Sequence, residues 1–315
     1  MTFDTVMLIF VAVIGLCCGS FYNVVILRGL SGESIAFPGS KCPKCSTPLK
    51  WWHNIPVISY LFLRGKCGFC GVKISPQYPI IELATMLLFL AAYLKWGLEI
   101  KTIFICAYLS LFLITTVTDI LERVILTRHA YVLAGLGLAY AIYNNAVLGT
   151  SWLSVQSPIV GSIIGTIVGA IVMELMARVG YLFVGSRAFG EGDTYIAAAL
   201  GAVFGFEKIL TILLVGFVVQ FVCSLPIFLW NMCKSGKWKI AIELPMFLIL
   251  SGLLWFWGTE MDKVIYMSGV ALLAVMALHL IKIILRDIKV PSAGTYLPYV
   301  PALMVGATVV LFLWF

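Results

Sequence analysis

The chain has 315 residues, of which 62% are hydrophobic and only 11% charged, where a soluble globule carries roughly a quarter charged residues. That composition excludes a soluble globular enzyme. Its formal charge of +7 is spread over many loops rather than gathered into one stripe, which argues for no nucleic acid partner.

Apolar runs of about 18 residues or more, each long enough to cross a bilayer, recur from end to end. The sequence therefore predicts an all-α polytopic membrane protein of about 8–10 transmembrane helices, with the lipid bilayer as its surroundings. The first run, 5–27, has no basic residue ahead of it (Asp4 is the only charge there), is too long and has no small-residue cleavage site, so it reads as a retained span rather than a signal peptide. Further spans are expected near 79–97, 101–118, 130–148, 158–177, 193–206, 209–230, 242–258, 264–285 and 297–315. The run at 193–206 is too short to cross alone. With the N-terminus outside, Lys95, Lys101, Lys208 and Lys263 fall on one side and the other 17 of the 21 Lys and Arg on the opposite one. The positive-inside rule makes the basic side cytoplasmic. These signals divide the chain into a first helix (1–27), an insert (28–78), a membrane core (79–230) and C-terminal helices (231–315).

The insert breaks the apolar pattern. It reads "PGSKCPKCSTPLKWWHNIPVISYLFLRGKCGFCGVKISPQYP" and carries two C-x-x-C pairs, Cys42/Cys45 and Cys67/Cys70, with 21 residues between them. Neighbouring Gly and Pro let the backbone curl so that the thiolates converge. This spacing suits a structural Cys₄ zinc site of the zinc-ribbon kind, with no open position for catalysis. Disulfides or a redox pair are the competing readings. A lysine-rich cytoplasmic loop sits in a reducing compartment, and two matched pairs favour metal. His53 is a poor fifth ligand beside four thiolates. Cys17, Cys18, Cys106, Cys223 and Cys233 read as small core residues, and His129 and His279 as structural.

Charges inside spans are costly and therefore functional candidates. Asp119 ends the third span, after "FLITTVT", and Asp193 begins the sixth, within "AFGEGDTYIAAALGAVFG". The topology places both at one depth on the cytoplasmic face, where two carboxylates can share a proton and hydrolyse a peptide bond through an activated water. Gly190 and Gly192 are expected to supply positive φ and close approach. Ala197, Ala198, Ala199, Gly201 and Ala202 are expected to admit a neighbouring helix. The competing reading makes Asp193 a plain N-cap. Glu82 either lines a pocket or pairs with a basic loop residue. Glu122 is placed to pair with Arg123 or Arg128, Glu174 with Arg178, and Glu243, Glu260 and Asp262 read as interfacial. No H-E-x-x-H, G-x-S-x-G, G-x-G-x-x-G or Walker pattern is present.

The order of these features resembles the bacterial prepilin peptidases, the type IV leader peptidases of the GxGD aspartic class. The resemblance rests on "GSFYNVVILR", the paired C-x-x-C insert with "NIPVISYLFLRGKCGFC", "ISPQYPIIEL", Asp119, "GEGD" and "LPYVPALMVGA". It implies a bifunctional inner-membrane enzyme. Such an enzyme cuts the leader of type IV prepilins or pseudopilins on the cytoplasmic side. It then methylates the new N-terminus with S-adenosylmethionine. It also implies that Asp119 and Asp193 are the catalytic pair, that Cys42, Cys45, Cys67 and Cys70 bind zinc, and that methyl transfer belongs to the N-terminal region. The donor's binding residues are not defined by the motifs.

Three departures stand out. Thr194 and Tyr195 replace the hydrophobic residue and lysine that usually follow GxGD. Leu126 and Thr127 stand where a Pro-Asp is common. The family usually has about eight spans, and an extra hairpin lies near 231–285, its start "IELPMFLILSGLLWFWG" echoing "YLPYVPALMVGATVVLF". Two readings from other classes compete. A membrane thiol-disulfide oxidoreductase would use the C-x-x-C pairs, and a transporter would use carboxylates deep in the spans.

Overall fold

The computed structural model describes residues 3–152, 154, 156–184, 189–236, 238–257, 263–287 and 298–314. Its helices are α1 (Phe3–Ser31), α2 (Ile58–Phe62), α3 (Gln77–Trp96), α4 (Ile100–Glu122), α5 (Thr127–Leu148), α6 (Pro158–Val184), α7 (Glu191–Lys234), α8 (Trp238–Trp257), α9 (Lys263–Asp287) and α10 (Val300–Trp314). Among the described residues there are two isolated β-bridges and no longer strand. Six helices, α1 and α3 to α7, are long and apolar enough to cross a membrane. The chain is an all-α multi-pass membrane protein, and its helix limits follow the predicted spans closely. Glu260 and Asp262 lie outside the described residues.

The expected runs at 193–206 and 209–230 are two arms of α7, whose helical course breaks at Gly205 (φ 74°, ψ 174°). Glycine takes that φ without a Cβ clash. The chain reverses there. Ala197, before the break, and Ile209, after it, both lie against Gly169 of α6. Asp193 and Gly216 both lie beside Tyr299. The short first arm thus reaches across and the second returns.

Small residues allow the first arm to sit close to two neighbours, as its composition predicts. Gly165 and Gly169 of α6 face the backbones of Gly201 and Ala197, and Gly137 of α5 faces Ala202 and Val203. A Cβ at Gly137 would lie 2.7 Å from the Val203 nitrogen, so this seam admits no larger side chain there. The Ser162 hydroxyl adds a hydrogen bond to the Ala202 carbonyl at 2.7 Å.

Two compact units form. The first comprises Met1–Glu174, Gly190–Gly216 and Pro298–Phe315, and the second Leu175–Phe189 and Phe217–Leu297. In the first, α1 lies on α3, with Gly19 against the Cα of Glu82. The Tyr22 hydroxyl lies 2.6 Å from Ser110 Oγ of α4, and Ile26, Ile81 and Ile114 form a buried cluster. Helix α10 runs antiparallel to α4. Near its C-terminus Lys208 donates to the Trp314 carbonyl at 3.0 Å and Lys95 donates to that of Phe312, complementing the negative helix end. Lys101 lies beside Lys208. Three of the four lysines assigned to the less basic side thus gather at one end. Asp119 is 18 residues along α4 from Lys101, about 27 Å away along the axis.

The second unit contains the predicted extra hairpin as α8 and α9, where His279 Nδ1 and Glu243 Oε2 lie 2.9 Å apart. Their separation along the chain hides this pair from the sequence, where His279 reads as structural and Glu243 as interfacial. The cysteines outside the insert also correct an expectation. Cys17 and Cys223 are exposed and Cys18, Cys106 and Cys233 half-buried. In a membrane protein an apolar run needs only lipid on its outer face, so small apolar residues need not enter the core.

Candidate active site and metal centre

Asp119 and Asp193 are both buried, 5% and 8% exposed, at the ends of α4 and α7 nearest the insert. The first residue of α10 and the one before it lie near them. The backbone N–H of Val300 is within hydrogen-bonding reach of the Asp119 carboxylate. Tyr299, its neighbour, lies close enough to Asp193 to feel its charge. Asp119 Oδ2 is buried with no hydrogen-bond partner among the described residues. A buried, unsatisfied carboxylate oxygen is rare and calls for a functional explanation. Arg123, the left-handed residue (φ 54°) that ends α4, adds positive charge near Asp119.

Asp193 is not the N-cap. Its Oδ2 accepts the N–H of Gly190 at 2.8 Å, so Gly190 holds the cap position and Asp193 reaches back from the third helical residue, as in a capping box. The glycines also act differently from expectation. Neither Gly190 nor Gly192 has positive φ. Gly192 instead makes room, since a Cβ there would lie 2.7 Å from the Cβ of Ile125. It is the chain's own α4–α5 connection, six residues past Asp119, that approaches. Of the departures, Leu126 packs near Gly29 of α1. Tyr195 is exposed, its ring 6.2 Å from that of Tyr131, and Thr194 Oγ1 is buried without a partner among the described residues.

The four insert cysteines converge, all sulfurs lying within 4.8 Å of one another. The Cys42 and Cys70 sulfurs are 3.9 Å apart, close to the ~3.8 Å that tetrahedral zinc with ~2.3 Å bonds requires. Each pair occupies a knuckle of one design. In the first, Cys42 N–H donates to Thr47 O, Ser46 N–H to Cys42 O and Leu49 N–H to Ser40 O, at 3.0, 2.8 and 2.8 Å. In the second, Cys67 donates to Val72, Gly71 to Cys67 and Ile74 to Gly65, at 2.8, 2.9 and 2.7 Å. The donor set and its spacing fit zinc. His53 stacks edge-on against Phe69, centroids 5.2 Å apart, rather than joining the thiols.

Sequence profiles of known families match along this architecture. One described as the bacterial peptidase A24 N-terminal domain matches residues 13–96, and one described as the type IV leader peptidase family matches residues 106–225. A prepilin leader peptidase/N-methyltransferase of Klebsiella pneumoniae is 33% identical over 201 residues, covering 62% of this chain and 84% of that protein. The chain belongs to the type IV leader peptidase family. Proteins of the same description from Neisseria gonorrhoeae and Myxococcus xanthus are 32% and 36% identical. The matches cover 68% and 67% of this chain and 80% and 60% of those relatives. No solved structure matches the chain significantly.

The family matches span α1 to the second arm of α7 and leave out α8, α9 and α10. Val300, whose N–H reaches Asp119, and Tyr299, which lies within electrostatic range of Asp193, thus lie beyond them. Sequence reasoning missed this pair, although "LPYVPALMVGA" marked the segment. Two prolines around an aromatic before a small-residue helix gave the signal, but nothing local linked it to Asp119 far upstream.

Proposed function

We propose that the protein is a prepilin leader peptidase and N-methyltransferase of the bacterial inner membrane, acting on type IV prepilins or pseudopilins at its cytoplasmic face. What supports the peptidase reading is a pair of buried carboxylates at helix ends, with Val300 N–H reaching Asp119 and its neighbour Tyr299 within electrostatic range of Asp193. In this reading one ionised carboxylate takes a proton from water, and the oxygen attacks the scissile carbonyl. The other, protonated, carboxyl donates to the carbonyl oxygen. Collapse breaks the C–N bond, and a proton passes to the leaving amine. Val300 N–H orients Asp119, and Tyr299 lies within electrostatic range of Asp193.

The four thiolates would hold a structural zinc, supplying folding energy that an insert of this size lacks. S-adenosylmethionine, when bound, would supply a sulfonium methyl. The acceptor of that methyl would be the new N-terminal amine of the cleaved pilin.

The test is leader removal from a prepilin in membranes. Asp119→Asn and Asp193→Asn should each lower cleavage on the order of 10³-fold or more, while a pre-cleaved pilin is still methylated. Cleavage at the parent rate by either variant rules out the aspartic assignment.

A further inference from the structure

Helix α2 is built inside out. Ile58, Leu61 and Phe62 fall on one face of it, at the spacing i, i+3, i+4, and are 50%, 67% and 85% exposed. Its polar residues are the sheltered ones. Ser59 Oγ donates to the Ile55 carbonyl at 2.7 Å, and the Tyr60 ring lies against Gly65. A helix on the surface of a soluble domain does the reverse and buries its apolar stripe. A contiguous exposed apolar face marks contact with a membrane or another protein.

The depth of α2 favours the membrane. Val57, the residue before α2, donates its N–H to Glu82 Oε2 at 2.7 Å. Helix α3 has 20 residues, about 30 Å of helix. The hydrocarbon core is itself ~30 Å thick, so α3 needs its whole length to cross. Glu82 is the sixth residue of α3, about 7.5 Å along its axis. The start of α2 is thus tied to a level where α3 has already entered lipid. Near that level α3 exposes Ile80 and Leu83 as well. The surrounding charge suits an anionic surface. Residues 28–78 hold seven Lys and Arg against one acidic residue, Glu33, and a zinc held by four thiolates, net −2, would leave that balance positive. Arg64 follows α2 closely and is exposed. Ahead of α2, Lys50 Nζ lies 5.0 Å from the ring centre of Trp52, and Trp51 is exposed. Tryptophan favours the headgroup level of a bilayer.

We propose that α2 is an in-plane membrane anchor, with Ile58, Leu61 and Phe62 among the acyl chains of the adjoining leaflet and Arg64 and Lys50 at the phosphates of anionic phospholipids. A helix of this kind sinks its apolar face ~5–10 Å into the headgroup–acyl boundary, which matches the depth set by the contact between Val57 and Glu82. The anchor holds the insert against the bilayer at its middle as well as at its two ends.

Full-length protein in nanodiscs would carry a photoreactive benzoylphenylalanine in place of Phe62, Leu61 or Tyr60, one at a time, and the adducts formed on irradiation would be identified by mass spectrometry. The probes replacing Phe62 and Leu61 should add phospholipid. The probe replacing Tyr60, on the sheltered face, should react within the chain. In discs of mixed phosphatidylglycerol and phosphatidylcholine the lipid adducts should be enriched in the anionic lipid. Arg64→Gln should lower that enrichment by up to ~5-fold, the share of one basic residue at a membrane surface. Adducts at Phe62 and Leu61 with a second copy of the chain, or with a prepilin added to the discs, in place of lipid would make α2 a protein-docking face and overturn the proposal. Recovery of both probes without any adduct would put the face in water and overturn it too. Equal lipid labelling from the Tyr60 position would do the same, because α2 would then have no lipid-facing side. Lipid adducts without anionic enrichment would overturn the phosphate contacts of Arg64 and Lys50.

Discussion

The backbone N–H of Val300 reaches the carboxylate of Asp119, joining the first helical residue of α10 to the last turn of α4. A proline at the first position of a helix is tolerated because its missing N–H has no intrahelical partner. Val300→Pro therefore deletes this one donor while α10 can still form. Hydrogen bonds to charged groups contribute about 1.5–3 kcal/mol, so leader cleavage should fall ~10–100-fold. The loss should appear in kcat more than in KM, and Val300→Ala, which keeps the N–H, should retain most of the activity. Equal rates for the proline and alanine variants would show that Asp119 does not depend on the contact.

Gly190 and Gly192 look alike in the sequence but should respond differently to a methyl group. At Gly190 the nearest atom is Asp193 Oδ2 at 3.4 Å, and φ is not positive, so Gly190→Ala should cost little. At Gly192 the new methyl would collide with Ile125 at 2.7 Å. Overpacking of this kind costs about 1–3 kcal/mol. Gly192→Ala should lower both the thermal midpoint and cleavage, and adding Ile125→Ala should restore most of each. Failure of that rescue would mean that Gly192 serves something other than the approach of Ile125.

These two glycines also show where the sequence could and could not be read. Hydropathy located the helical runs because crossing a bilayer needs long apolar segments. Paired C-x-x-C spacing revealed the thiolate cluster because it is a local pattern. Asp119 and Asp193 were legible as costly charges at span ends. The partners Val300, Tyr299 and Ile125 were not, because their contacts are set by packing between distant segments. The reversal at Gly205 appeared only as a run too short to cross.

The two knuckles make a further prediction because they differ at one matched position. Gly71 and Ser46 both sit four residues after the first cysteine of their pair and both have positive φ, 70° and 56°. Left-handed backbone costs an L-residue about 1 kcal/mol, which glycine avoids. Ser46→Gly should therefore raise the stability of the insert by up to ~1 kcal/mol. Gly71→Ala, where a Cβ meets nothing within 4 Å, should lower it by a similar amount through backbone strain alone. Resistance of residues 28–78 to protease under increasing denaturant would measure both. A fall in stability on Ser46→Gly together with a rise on Gly71→Ala would contradict the knuckle geometry.

Zinc retention should depend on pH in a direction set by Thr47. Thr47, whose hydroxyl also lies 3.5 Å from the Cys45 carbonyl, lowers the Cys45 thiol to about 6, while burial and the neighbouring thiols push Cys70 up to about 11. The backbone N–H groups of Cys70 and Phe69 likewise lower Cys67. A depressed thiol is deprotonated above its folded value, and the thiolate is the form that binds metal. The contribution is therefore present at neutral pH and is lost as pH falls through about 6, where protons compete for the sulfur. Zinc bound to the purified protein, followed with a chelating dye, should stay in place at neutral pH and leave as the solution is acidified below that point. Thr47→Val removes the hydroxyl but keeps the backbone N–H, so release should move to higher pH without being abolished. An unchanged release curve would show that Thr47 does not tune the thiolate. Failure of the parent to hold any zinc at neutral pH would remove the metal from the insert altogether.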